Sequence, residues 1–158
     1  NMKRFFFYLL FSFQFLSVHA QKMSLDITGT SPDFNYNTIS DYETTKIANN
    51  AIRLDIDTKK KGYQVYFRSD GPIKTSSGQS IPESKFGIRI HNTVPVVPLS
   101  STNDQLLINS GKKDSDKDSD KNDKDSKPYY LDFIVSPLYY DYDPGSYIVN
   151  ILFTLTKD

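Results

Sequence analysis

The chain is predicted to be all-β, an antiparallel immunoglobulin-like (Greek-key) β-sandwich of about seven strands following a cleaved signal peptide. Three observations predict it. Past residue 24 apolar residues recur mainly with a period of two, the spacing of half-buried strands. Sustained helical spacing is almost absent. Gly, Pro, Asn and Ser separate the alternating runs, as in folds built from short strands in two layers. A closed barrel is the alternative arrangement of the same pattern.

The elements follow in order. Leu25 and Ile27 flank Asp26, and a turn is expected over residues 29–33. Residues 34–50 carry mixed signals, with an edge strand expected at Phe34 to Tyr36 and a helical turn at Tyr42 to Ile47. Ile52, Leu54 and Ile56 alternate with Arg53, Asp55 and Asp57, giving one apolar face and one charged face. Tyr63, Val65 and Phe67 repeat the pattern after Lys59-Lys60-Lys61-Gly62, so residues 51–69 read as a β-hairpin. Phe86, Ile88 and Ile90 form a further inward set, which leaves His91 on the opposite phase, toward solvent or a sheet rim. Pro95 and Pro98 place the segment from Val94 to Leu99 at an edge or in a loop, because proline cannot donate into a ladder. Leu106 to Ile108 is a short strand. Tyr129, Leu131, Phe133 and Val135 alternate with Tyr130, Asp132 and Ile134 and stop at Ser136-Pro137. The final strand is expected to open at Tyr147, with Val149, Ile151, Phe153 and Leu155 on its face and Ile148, Asn150, Leu152 and Thr154 on the other. Being apolar on much of both faces, it should be central or covered.

Residues 2–20 have the organisation of a secretory signal peptide: Lys3 and Arg4, an apolar run from Phe5 to Leu16, then Val18-His19-Ala20. Cleavage is expected after Ala20, leaving residues 21–158 as a single domain that is exported to the periplasm, cell surface or medium. The apolar run is too short to span a bilayer, and no span is expected in the mature protein. The chain carries 19 basic and 19 acidic residues, and loss of Lys3 and Arg4 tips the rest slightly acidic. That balance argues against nucleic acid, whose phosphates demand excess Lys and Arg. Cysteine is absent, so packing and the backbone ladder must hold the domain without disulfides.

Residues 112–127 contain six Lys and six Asp and no apolar residue, so burial cannot offset their ordering entropy and a disordered, solvated loop is expected. A Ca2+ site is the competing reading, because Asp114, Asp116 and Asp118 present alternate carboxylates and Asp125 falls at the twelfth position of such a loop. Ser119 stands where the turn of an EF-hand loop needs glycine, and the interleaved lysines repel a cation.

Motifs for chemistry are sparse. With His19 in the signal, His91 has no second histidine or cysteine with which to build a metal site or triad. Asp132, Asp141 and Asp143 offer carboxylates, but their spacing does not single out an acid and a base. The expectation is a protein that is not an enzyme and has no cofactor. Tyrosine is the unusual resource, with Tyr129, Tyr130, Tyr139, Tyr140, Tyr142 and Tyr147 grouped near the last two strands. In Tyr139-Tyr140-Asp141-Tyr142-Asp143, rings beside carboxylates suit a sugar, whereas tyrosines packed over a sandwich rim need no ligand.

Asp143-Pro144-Gly145-Ser146-Tyr147 followed by IVNILFTLT resembles the ending of secreted bacterial β-sandwich proteins, including pilin-like subunits of the spore-coat-U type. Pro144 and Gly145 suit a tight turn, and Tyr147 suits a tyrosine-corner position at the sandwich end. The disulfide cysteines often carried by that family are absent here, and the Lys/Asp run has no counterpart in its pattern. The resemblance implies a surface subunit that binds other protein subunits by strand addition. A secreted carbohydrate-binding module using the Tyr/Asp cluster is the alternative function.

Overall fold

Alternation becomes pairing in the computed structural model, which describes residues 23–58, 62–74, 77–111, 128–142 and 147–157. The elements are β1 (Ser24–Gly29), α1 (Ile39–Glu43), β2 (Lys46–Asp57), β3 (Tyr63–Ser69), β4 (Ile73–Lys74), β5 (Ser80–Ile81), a 3-10 turn (Glu83–Lys85), β6 (Phe86–Ile90), β7 (Val97–Pro98), β8 (Gln105–Ser110), β9 (Tyr129–Val135) and β10 (Ile151–Lys157). They form a five-stranded sheet in the order β1-β2-β9-β6-β7, a three-stranded sheet in the order β10-β3-β8, and the β4-β5 pair. Every pairing is antiparallel. The domain is therefore all-β with several antiparallel sheets. Among the described residues no sheet closes on itself, so the barrel alternative does not form there. Among the described residues no helix is long and apolar enough to cross a membrane.

One core joins the sheets. Leu54, Ile56, Ile88, Leu131 and Phe133 of the larger sheet share a buried cluster with Val65, Phe67 and Ile108 of the smaller one. Burial of such side chains is the main favourable term in folding. Phe67 is fully buried and its ring lies 6.2 Å from that of Phe153. Phe67→Ala is expected to cost about 3–5 kcal/mol, read as a lower midpoint in urea unfolding.

Five expectations are corrected. Residues 51–69 are not a hairpin: β2 pairs with β1 and β9, whereas β3 pairs with β10 and β8. Both strands have an inward apolar face, and placing them in different sheets lets those faces share one core. Phe34 to Tyr36 forms no strand, and the helical turn lies at Ile39–Glu43 instead of Tyr42 to Ile47. The last strand begins at Ile151, four residues beyond Tyr147. Among the described residues it is also neither central nor covered, because β10 is the terminal strand of its sheet and Leu152 on its outer face is 41% exposed. The signal segment 1–20, the 112–127 run with Asp114, Asp116 and Asp118, and the Asp143, Pro144 and Gly145 positions lie outside the described residues.

Candidate functional site

β1 ends the larger sheet and β10 ends the smaller one. Ser24 pairs with Asp57 and Lys157 pairs with Tyr63, and only residues 58–62 join those two partners. Ser24 and Lys157 therefore lie at the same end of the domain, and β1 and β10 run in opposite directions. Between them opens a cleft of about 840 Å3.

The apolar faces on its two sides are incompletely buried. Ile27 of β1 is 48% exposed, although Leu54, its direct cross-strand partner, is 0% exposed. On β10, Ile151, Phe153 and Leu155 are half-buried, while Phe67 and Val65, paired with Phe153 and Leu155, are fully buried. Directly paired residues share a sheet face, so the inward face runs out of cover at the last strand on each side. Phe34, Phe86 and Phe133 line the cleft more deeply, with ring centroids 6.0 Å apart for Phe34–Phe133 and 6.4 Å for Phe86–Phe133.

On the opposite side the larger sheet ends in β7 and the smaller one in β8. β7 is two residues long and ends in Pro98, a short edge that resists further pairing. It lies so close to β6 that a Cβ on Gly87 would come 2.6 Å from Val96 Cγ1 and 3.0 Å from the Val97 carbonyl oxygen. The chain then crosses between sheets: the Leu99 N–H donates to the Phe86 carbonyl at 2.9 Å, and the Ser69 N–H donates to the Ser100 carbonyl at 3.0 Å.

Tyrosines close one end of the cleft. The Asp41 carboxylate accepts from the Asn37 N–H, the Thr38 N–H and the Thr38 hydroxyl, which fastens the start of α1. It also pairs with Lys46, whose hydrogen bond, followed by those from Thr38, holds the Asp41 carboxyl well below the usual carboxylate range. The helix so anchored presents Tyr42, whose ring is 5.0 Å from that of Tyr36 and 5.8 Å from that of Tyr140. The Tyr139 N–H donates to the Tyr42 carbonyl at 2.9 Å. Lys85 sits 5.4 Å from the Tyr139 ring centroid and also donates to the Pro137 carbonyl.

The expected Tyr/Asp cluster is thus divided. Tyr139 and Tyr142 line the cleft, joined by Tyr147 from the segment before β10. Tyr140 turns away onto Tyr42 and donates to Glu43 at 3.5 Å. Asp141 uses its backbone carbonyl, which accepts from Gln79.

A second constellation was not anticipated. Asp132 lies on the polar phase of β9 yet is 0% exposed. Its carboxylate accepts from Arg89 Nε at 2.9 Å, from the Asn50 N–H at 3.0 Å, and lies 2.7 Å from His91 Nδ1. Burial pushes the carboxyl up, but the Asn50, His91 and Arg89 hydrogen bonds outweigh it and hold Asp132 below its ordinary value. Asn50 has φ +53 and stands where the β2–β9 register shifts, so the carboxylate secures a bulge. The neighbouring Ala51 carbonyl accepts from the Thr30 N–H at 3.2 Å, just where β1 ends and the cleft wall begins. The sequence signal was there in outline: Arg89, His91 and Asp132 all occupy outward phases.

No family model and no curated protein matches the chain.

Proposed function

We propose that this is an exported, non-enzymatic structural or adhesive subunit, built as an incomplete immunoglobulin-like sandwich, which assembles by accepting a strand of another polypeptide between β1 and β10. The observation carrying this reading is the inward face left uncovered by the described residues on both sides of the cleft, opposite the side where the chain crosses between the sheets. A strand inserted there would find unpaired backbone on its flanks and apolar side chains below it, the two requirements of strand addition. Full burial of an apolar side chain contributes about 1.5–3 kcal/mol, and Ile27, Ile151 and Phe153 have realised only part of that. The strand would run antiparallel to one neighbour and parallel to the other. Kinship with spore-coat-U-type pilin-like subunits, suggested by the final segment, fits this mode of assembly.

The test is binding of a twelve-residue peptide with Val and Ile at alternate positions. Ile148 lines the cleft and is 82% exposed, so Ile148→Asp removes apolar cleft surface with little expected loss of stability, within about 0.5 kcal/mol, whereas Ile27→Asp, at a half-buried inward position of β1, removes more of it and costs more stability. Each variant should weaken peptide binding about tenfold or more, measured by isothermal calorimetry. Equal affinity in both variants would remove the cleft from the proposal.

A glycan-binding reading draws on Tyr139 and Tyr142 at the closed end. It ranks second because Tyr140 and the Asp141 carbonyl are engaged elsewhere. A glycan array in which Tyr139→Ala and Tyr142→Ala abolish a hit would reverse that ranking.

A further inference from the structure

Among the described residues lining the cleft, Asp33 is the only one that carries a charge. It is exposed, on the segment that continues β1 beyond Gly29 toward the tyrosine-closed end. No ion pair reaches it among the described residues. The cations near that end have other partners: Lys46 pairs with Asp41 and lies 5.6 Å from the Tyr36 ring centroid, and Lys85 is held by the Pro137 carbonyl and the Tyr139 ring. The outer face of β1 adds no compensating charge. Asp26 there stands directly opposite Asp55, whose counter-ion is Arg53.

Building on the strand-accepting reading, we infer that the partner is an extended apolar segment carrying an Arg or Lys where it meets Asp33. Alternating apolar side chains enter the cleft, and the cation at the closed end selects the partner and its register. The chemistry favours this arrangement. A carboxylate in a wall of mixed polar and apolar surface is matched by a charge-assisted hydrogen bond from a cation, and Tyr42, which lines the same cleft, offers its ring to the side chain's apolar stem. An acidic side chain at the same place would meet like charge, which discriminates against wrong partners.

Four peptides distinguish the outcomes. Each has twelve residues with Val and Ile alternating with Thr, and carries Arg or Glu at its first or its last position. With the unaltered full chain at low salt, one Arg peptide should bind about tenfold more tightly than its Glu counterpart, and the difference should shrink as salt is raised. Asp33→Asn should flatten the preference, and Asp33→Lys should invert it toward Glu. Equal binding of Arg and Glu peptides would overturn the charge selection while leaving strand acceptance standing. A preference that persists in Asp33→Lys would overturn the assignment to Asp33. Failure of every peptide to bind would overturn strand acceptance together with the inference built on it.

Discussion

Replacing Asp132 by alanine is expected to cost about 3–5 kcal/mol of stability, the penalty for stranding one side of a buried ionic cluster. Three donors lose their acceptor at once: the Arg89 guanidinium, the His91 ring and the Asn50 N–H. Asp132→Asn retains an acceptor and should cost less. The penalty also depends on pH. The native carboxyl titrates below its ordinary value, near 3.9 in an unfolded chain, so the unfolded state binds the proton first as acid is added. The contribution of Asp132 is fully present above that unfolded value and is lost as pH falls through the lower native one. Urea unfolding of both chains at neutral pH and in acid checks this: the gap between native and Asp132→Ala should be large at neutral pH and narrow in acid. A gap of under 1 kcal/mol at neutral pH would mean that the cluster is not the fastening of the β2 bulge.

An appended strand is expected to have the other large effect, with opposite sign. Because β10 runs toward the end of the domain shared with Ser24, a short flexible linker after residue 158 followed by seven residues alternating Val and Thr should turn back into the cleft, antiparallel to β10. Covering Ile27, Ile151 and Phe153 by about 1 kcal/mol each would raise the unfolding temperature by roughly 5–10 °C for a domain of this size. The same extension with Asp at the inward positions should leave it unchanged. Both are read by differential scanning calorimetry.

Much of the sheet structure was legible because one face of each strand is buried and the side-chain period is two. β2, β3, β6 and β9 announce themselves through Ile52-Leu54-Ile56, Val65-Phe67, Phe86-Ile88 and Leu131-Phe133-Val135 for that reason. What alternation cannot report is which sheet a strand joins. The short stretch of sequence between β2 and β3 looks the same whether its two strands share a sheet or not, and here they lie in different sheets. β4, β5 and β7 are two residues each, too short to show a period. The role of Asp132 was not legible for a related reason. A charge on the polar phase reads as solvent-facing until register sets Arg89 directly opposite it.

β10 is the informative error. Apolar residues on both faces promised a covered strand, yet the described chain provides no neighbour beyond it. The sequence reading and the edge position are reconciled if the cover comes from another polypeptide. The cleft had no motif of its own, since Ile27, Phe34, Tyr147 and Phe153 come from distant parts of the chain and only the tertiary fold brings them together. Of the tyrosine cluster, proximity in sequence located the right end of the molecule but not the division of labour, because Tyr140 and Tyr142 turn to different sides.

Amide hydrogen exchange with and without the alternating apolar peptide tests strand acceptance most directly. Slowed exchange is expected in residues 24–29 and 151–157, the two edges facing the cleft, with Val97 and residues 105–110 on the opposite side unchanged. Protection confined to the β7–β8 side, or none at either edge while the peptide is bound, would contradict it.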